Sequence, residues 1–135
     1  MRSALIEEKL DALGRCVLRI EAKRPATAEA LRTDLDAQDI VALNLERAVQ
    51  QCVDIALHLL SDLDTPVPAT MSEAFEMLRE REMVSSEVCE QMIKAVGMRN
   101  IAVHAYRKID WDIVWNVATH HLVDFKAFAR EVSVE

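Results

Sequence analysis

Glycine and proline are nearly absent: 135 residues hold 2 Gly and 3 Pro. So few glycines exclude tight hairpins, phosphate-cradling loops and dinucleotide fingerprints, which need backbone at positive φ or in close approach to a ligand. Basic charge is also in deficit, with 16 Lys+Arg against 23 Asp+Glu and a net charge of −7. That balance argues against a broad nucleic-acid coat, because nonspecific affinity comes mainly from cations neutralising phosphates. It leaves room for a local basic site. Only three cysteines occur, Cys16, Cys52 and Cys89, far apart and without a C-x-x-C pair. With no signal-like N-terminus, they predict a reduced, cytoplasmic protein. No apolar run approaches the roughly 20 residues needed to cross a bilayer, so no membrane association is expected.

What is present is core material. A hydrophobic fraction of 51% beside 29% charged residues suits one folded domain over residues 1–135. Leu5, Ile6, Leu10, Leu13, Val17 and Ile20 recur at helical spacing from Ser3 to about Ala22, and Pro25 stops that helix. The stretch from Lys23 to about Gln38 has mixed polarity and reads as an irregular connection. From about Asp39 to Leu60 runs the central helix, with Leu43, Val49, Cys52, Val53, Ala56, Leu59 and Leu60 on its apolar side, broken beyond by Pro66 and Pro68.

Thr70 and Glu73 form a capping-box pattern ahead of a short helix through about Met83. Ser85 or Ser86 caps the next helix, which carries Val88, Met92, Ile93 and Val96 toward Arg99–Tyr106. Asp110 is the expected N-cap of one last helix, burying Ile113, Val117, His121 or Leu122, Phe125 and Phe128. The expected fold is all-α, an up-and-down bundle of about five helices.

Chemistry concentrates in two places. On the central helix Asn44, Arg47, Gln51, Asp54 and His58 fall within an arc of roughly 80°. They read equally as a solvated face and as a supporting wall or subunit interface. The second place is Lys94–Lys108, which holds Lys94, Arg99, Arg107 and Lys108 and no carboxylate, directly after Met71–Ile93 with six Glu and two Arg. Such a segregated cationic island suits a phosphate-bearing ligand, although a helix C-terminus also favours basic residues.

Inside the island, Arg99, Asn100, His104 and Tyr106 form R-N-x-x-x-H-x-Y. A permanently charged guanidinium can grip phosphate oxygens, an imidazole can move protons near neutral pH, and an amide can orient either. On a regular helix positions 99 and 104 lie roughly 140° apart. They converge only if the helix ends or bends, or if a second chain completes the site.

Other clusters carry less. Adjacent His120 and His121 diverge by about 100° on a helix and, even with Asp124, lack the spacing of a tetrahedral metal site. No metal or cofactor is expected. Trp111 and Trp115 read as packing residues, and the cysteines and methionines as core filling.

The segment Arg99-Asn-Ile-Ala-Val-His104-Ala-Tyr106 resembles the HEPN superfamily, and more closely the HepT-type toxins of bacterial HepT–MntA toxin–antitoxin pairs. The likeness covers essentially the whole chain. It extends to Asp39-x4-Asn44-Leu-x-Arg47-x3-Gln51-x2-Asp54-Ile-Ala, the breaker near Pro66 and Pro68, Ser72-Glu-Ala-Phe75, Asp112-Ile-Val and His120-His121-Leu-x-Asp124-Phe125.

The resemblance implies a homodimer in which the motifs of both protomers meet at a cleft. It implies metal-independent RNA cleavage by Arg99, Asn100 and His104, with Lys94, Arg107 and Lys108 available to substrate phosphates and Asn44, Arg47, Gln51 and Asp54 in support. It further implies neutralisation by an MntA-like minimal nucleotidyltransferase that transfers AMP to Tyr106, as in a type VII-like toxin–antitoxin pair. Two other readings stand beside this one: a noncatalytic dimerisation module that binds the nucleotidyltransferase, and a small-molecule-binding bundle lined by the Asn44–His58 stripe. Gly97, just before Arg99, offers a gap through which another helix can approach.

Overall fold

A computed structural model describes residues 3–104 and 109–133, with residues 100–104 given by their helical backbone. The described residues form seven helices and no strand: α1 (Ala4–Lys23), α2 (Ala28–Thr33), α3 (Leu35–Ser61), α4 (Met71–Glu80), α5 (Ser86–His104), α6 (Trp111–His120) and α7 (Leu122–Val132). The chain is all-α as expected, but the count of about five helices is corrected to seven. Two local events account for the difference.

The first is in the stretch read as irregular. Thr27 Oγ1 accepts the Ala30 amide at 3.1 Å and starts α2. Asp34 ends α2 and caps α3, its Oδ1 accepting from the Ala37 amide at 3.0 Å. The central helix therefore begins at Leu35, ahead of the expected Asp39. Buried Gln38 secures the corner, donating through Nε2 to the Leu31 and Arg32 carbonyls at 2.9 and 3.1 Å. These carbonyls lie at the C-terminal end of α2, where a helix leaves its acceptors unsatisfied.

The second is a break at His121, which splits the expected last helix into α6 and α7. The break resets the helical phase. Val114 and Ala118 become the buried residues of α6, whereas Ile113 is 39% exposed and Val117 only partly buried. Leu122, Phe125, Phe128 and Val132 form the buried face of α7.

Helix ends otherwise follow the sequence. Ser3 Oγ accepts from the Ile6 amide to start α1, and Arg24 takes an extended conformation before Pro25, as the proline ring requires. Thr70 accepts the Glu73 amide at 3.0 Å, and Asp110 accepts from the Asp112 and Ile113 amides. Of the two candidate serines, Ser85 is the cap of α5, accepting the Val88 amide at 3.1 Å, and Ser86 is its first residue.

Helix α3 is the axis of the assembly: α1 lies along it, and α4, α5, α6 and α7 each pack on it. Val41, Leu45, Ala48, Cys52, Ile55 and Ala56 are at most 2% exposed there. Phe75 of α4 meets Phe128 of α7 edge to face, with ring centroids 5.6 Å apart. Of the apolar side expected on α3, Val49, Cys52, Val53, Ala56, Leu59 and Leu60 are buried, whereas Leu43 is 44% exposed. Among the described residues no helix is long and apolar enough to cross a membrane.

Candidate functional site

Arg99 stands on α5 where that helix meets α3 and α4. Its side chain is 14% exposed and reaches between those two helices. Nη1 donates to Met71 Sδ at 3.3 Å, and Nη2 lies 3.8 Å from Glu46 Oε1. Met71 is the first residue of α4, placed by the Thr70 cap. Nε is buried with no hydrogen-bond partner among the described residues. A guanidinium has five N–H donors, and a thioether is a weak acceptor. Arg99 is thus largely desolvated and poorly satisfied, which leaves donors free for an anion.

Helix α5 runs unbroken from Ser86 to His104. Positions 99 and 104 are therefore roughly 140° apart around one axis, and the helix does not end early to unite them. Position 104 follows Glu90 and Gly97 at seven-residue intervals, a drift of only about 20° per step. Both of those residues are exposed, and position 104 continues their register along α5. A Cβ added at Gly97 would meet nothing within 4 Å. Among the described residues no helix occupies the gap beside it. Asn100 lies on α5 between these positions, while Tyr106, Arg107 and Lys108 lie outside the described residues.

Lys94 is exposed and borders a small cleft of about 110 Å³ with Gln91, Met98, His121 and Asp124. It stands roughly 140° from Arg99 around α5, so the two cations serve different sides of the helix.

The polar stripe on α3 divides by position. Asn44 is buried and turns back on its own helix, donating through Nδ2 to the Ile40 carbonyl at 2.8 Å. Arg47 is exposed, and partly buried Gln51 keeps its Oε1 without a described partner. Asp54 accepts from Lys9 Nζ of α1 at 3.1 Å and from Gln50 Nε2 at 2.8 Å, and His58 Nε2 is 3.1 Å from Ser3 Oγ. Asp54 and His58 thus tie α3 to the start of α1. The α3 residue that meets Arg99 is Glu46, outside the stripe. Sequence reading missed Glu46 and Met71, since a lone Glu and an apolar Met carry no local signal of an Arg contact.

The remaining clusters are packed locally. His120 meets Trp115 edge-on at 5.8 Å, while His121 Nδ1 lies 3.0 Å from Asp124 Oδ2. Trp115 Nε1 donates to the Pro25 carbonyl at 3.0 Å. All three cysteines are buried and free. Burial pushes each thiol pKa up, most strongly at Cys52, which the neighbouring Cys16 raises further.

The family described as Ribonuclease HepT-like matches this chain over residues 6–132. The mRNA nuclease HepT of Shewanella oneidensis is 33% identical over 131 residues, spanning 97% of this chain and 98% of that protein. The tRNA nuclease HepT of Aphanizomenon flos-aquae is 26% identical over 129 residues, spanning 96% and 88%. Among solved structures, the tri-AMPylated Shewanella oneidensis HEPN toxin in complex with its MNT antitoxin superposes with a TM-score of 0.91 at 32% identity, covering 99% of this chain and 100% of that one. The family match over residues 6–132, with a 33% identical nuclease relative aligned almost end to end, places the protein in the ribonuclease HepT-like family.

Proposed function

We propose that this chain is an endoribonuclease toxin acting as a homodimer in the cytoplasm, with one helical domain over residues 1–135 and an antitoxin of the minimal nucleotidyltransferase class. The observation that carries the proposal is the unsatisfied guanidinium of Arg99 on the same unbroken helix as His104. The two positions diverge within one protomer, so a second copy is needed to complete a site. The face of α5 through Glu90, Gly97 and position 104 is where that copy docks. The nuclease names of the Shewanella and Aphanizomenon relatives support the activity.

The chemistry needs only groups the chain carries, so the reaction is metal-independent. One His104 imidazole removes the proton from a ribose 2′-OH, and the resulting oxyanion attacks the adjacent phosphorus. Arg99 neutralises the extra negative charge of the phosphorane through the donors it has free. The P–O5′ bond then breaks, and the opposite His104 or a water protonates the leaving oxygen. The products are a 2′,3′-cyclic phosphate and a 5′-OH, so no water is consumed. Asn100 holds the imidazole or phosphate in place. Lys94, Arg107 and Lys108 attract flanking phosphates, and Asn44, Arg47, Gln51 and Asp54 support the interface.

AMP transfer to Tyr106 silences the site by placing a charged nucleotide within two residues of His104, where it repels the RNA backbone and blocks access. The relative in the solved complex is tri-AMPylated and bound to its MNT antitoxin, which supports this arm of the proposal. The decisive experiment is inducible expression of wild type and His104→Ala, with growth and RNA integrity followed in the same cultures. Wild type should arrest growth and degrade RNA, and the variant should do neither while remaining folded. Arrest without RNA loss, unchanged by the substitution, overturns the ribonuclease reading.

A further inference from the structure

We infer that Glu46 is a positioning residue for RNA cleavage: it holds the Arg99 guanidinium in place as a loose counter-ion and yields it to the substrate phosphate. The inference rests on the ribonuclease reading above. Three features separate this contact from an ordinary structural ion pair.

First, the contact is long. Glu46 Oε1 stands 3.8 Å from Arg99 Nη2, beyond hydrogen-bond reach, whereas strong Arg–carboxylate pairs bond at about 2.7–2.9 Å and are often bidentate. Second, the burial is one-sided. The Arg99 side chain is 14% exposed and that of Glu46 is 36% exposed, so the carboxylate keeps water while the guanidinium has largely lost it. Third, the guanidinium is left unsatisfied. Its Nε is buried without a described partner, and its one direct acceptor among the described residues is the Met71 thioether. A pair built only for stability would close those bonds, because an unmet buried donor costs free energy.

The arrangement has a clear chemical use. Glu46 offsets the charge of Arg99 enough to keep it between α3 and α4, and Met71 sets its direction from the capped start of α4. Neither occupies the donors as a phosphate would. The non-bridging oxygens of a phosphodiester are stronger acceptors than a thioether and carry charge. They satisfy the guanidinium best when the phosphorane forms, which is when stabilisation accelerates the reaction.

Removing the Glu46 charge therefore has two effects of opposite value. The guanidinium loses its aim, which slows chemistry. The RNA backbone loses a repelling carboxylate, which tightens binding. The signature is a fall in kcat together with a fall in KM.

The test uses full-length wild type, Glu46→Gln, Glu46→Asp and His104→Ala on a fluorogenic single-stranded oligoribonucleotide of mixed sequence, with thermal midpoints measured in parallel. Glu46→Gln should lower kcat by about tenfold, the scale of a positioning defect. Its KM should drop about twofold or more and its midpoint should stay at the wild-type value. Glu46→Asp keeps the charge but shortens the reach, so its KM should stay near wild type while its kcat falls between the other two.

A second readout does not depend on activity. The Arg99 Nε–H resonance, assigned by its loss in Arg99→Lys, should be resolved in the wild type and broadened or displaced in Glu46→Gln. An unchanged kcat, a raised KM or a lost midpoint in Glu46→Gln overturns the inference. If the wild type cuts nothing, the ribonuclease reading fails, and an unchanged Arg99 signal in Glu46→Gln then overturns the positioning role as well.

Discussion

The Ser85 backbone N–H and hydroxyl both donate to the Glu131 carboxylate, at 2.7 and 2.9 Å, so the last helix closes the N-terminus of the helix that carries Arg99. Ser85 Oγ in turn accepts the Val88 amide. One serine thereby satisfies an orphan donor of α5 and anchors it to α7, and a carboxylate at this end also suits the helix dipole.

Ser85→Ala removes the cap and one of the two bonds to Glu131. A lost N-cap costs about 1 kcal/mol, and Glu131→Gln should cost no more because the site is exposed. Urea denaturation should show both losses. The double variant should fall short of their sum, since the two residues share bonds.

Gly97 tests the docking face. A Cβ there meets no atom of the described residues within 4 Å, so Gly97→Leu should fold at least as well as wild type, gaining up to about 1 kcal/mol of helix propensity. The added side chain would stand in the path of a second α5. Sedimentation equilibrium should show a weakened dimer, with ribonuclease activity reduced in step. An unchanged dimer would place the interface elsewhere.

Tyr106 is the proposed acceptor of AMP. Incubation with the cognate nucleotidyltransferase and ATP should add one or more AMP masses to the peptide containing Tyr106, and ribonuclease activity should fall with the modified fraction. Tyr106→Phe should accept none and stay active in the presence of the antitoxin. AMP transfer that persists in Tyr106→Phe would move the acceptor to another residue.

The thiols give a pH prediction. Each is protonated and buried, with its folded pKa raised above the ordinary 9.0. Native protein should resist iodoacetamide at neutral pH, while denatured protein should take up three equivalents. For an acid whose folded pKa lies above its unfolded value, the native state retains protons that the unfolded chain releases. The stability from these thiols is therefore complete below about pH 9 and declines as pH rises beyond it. Denaturation midpoints followed from pH 8 to 10.5 should fall, and less so in Cys52→Ser after correction for its lower starting stability.

Several elements were legible because local chemistry decides them. Thr70, Ser85 and Asp110 sit before apolar periodic runs with side chains able to cap, and each does cap. Pro25 stops α1 because its ring bars Arg24 from helical geometry, and Pro66 and Pro68 lie in the connection between α3 and α4. The corner at Thr27–Asp34 was less legible. A helix of six residues has no periodicity to detect, and Asp34 serves two helices at once. The break at His121 has no Gly or Pro to mark it, so the apolar pattern runs on in one phase that points Ile113 inward.

The sequence by itself determined the all-α class, the motif Arg99-Asn100-x3-His104-x-Tyr106 and the family, because helical periodicity, capping chemistry and an ordered set of polar residues are written in one dimension. The tertiary structure decided what surrounds the motif. It put Glu46 and Met71, distant in the chain, against Arg99, turned Asp54 and His58 toward α1, and carried α5 unbroken to His104. These are outcomes of packing α3, α4 and α5 around a shared core, where burial sets which side of each helix faces inward. A guanidinium without enough partners is visible only once its neighbours are in place.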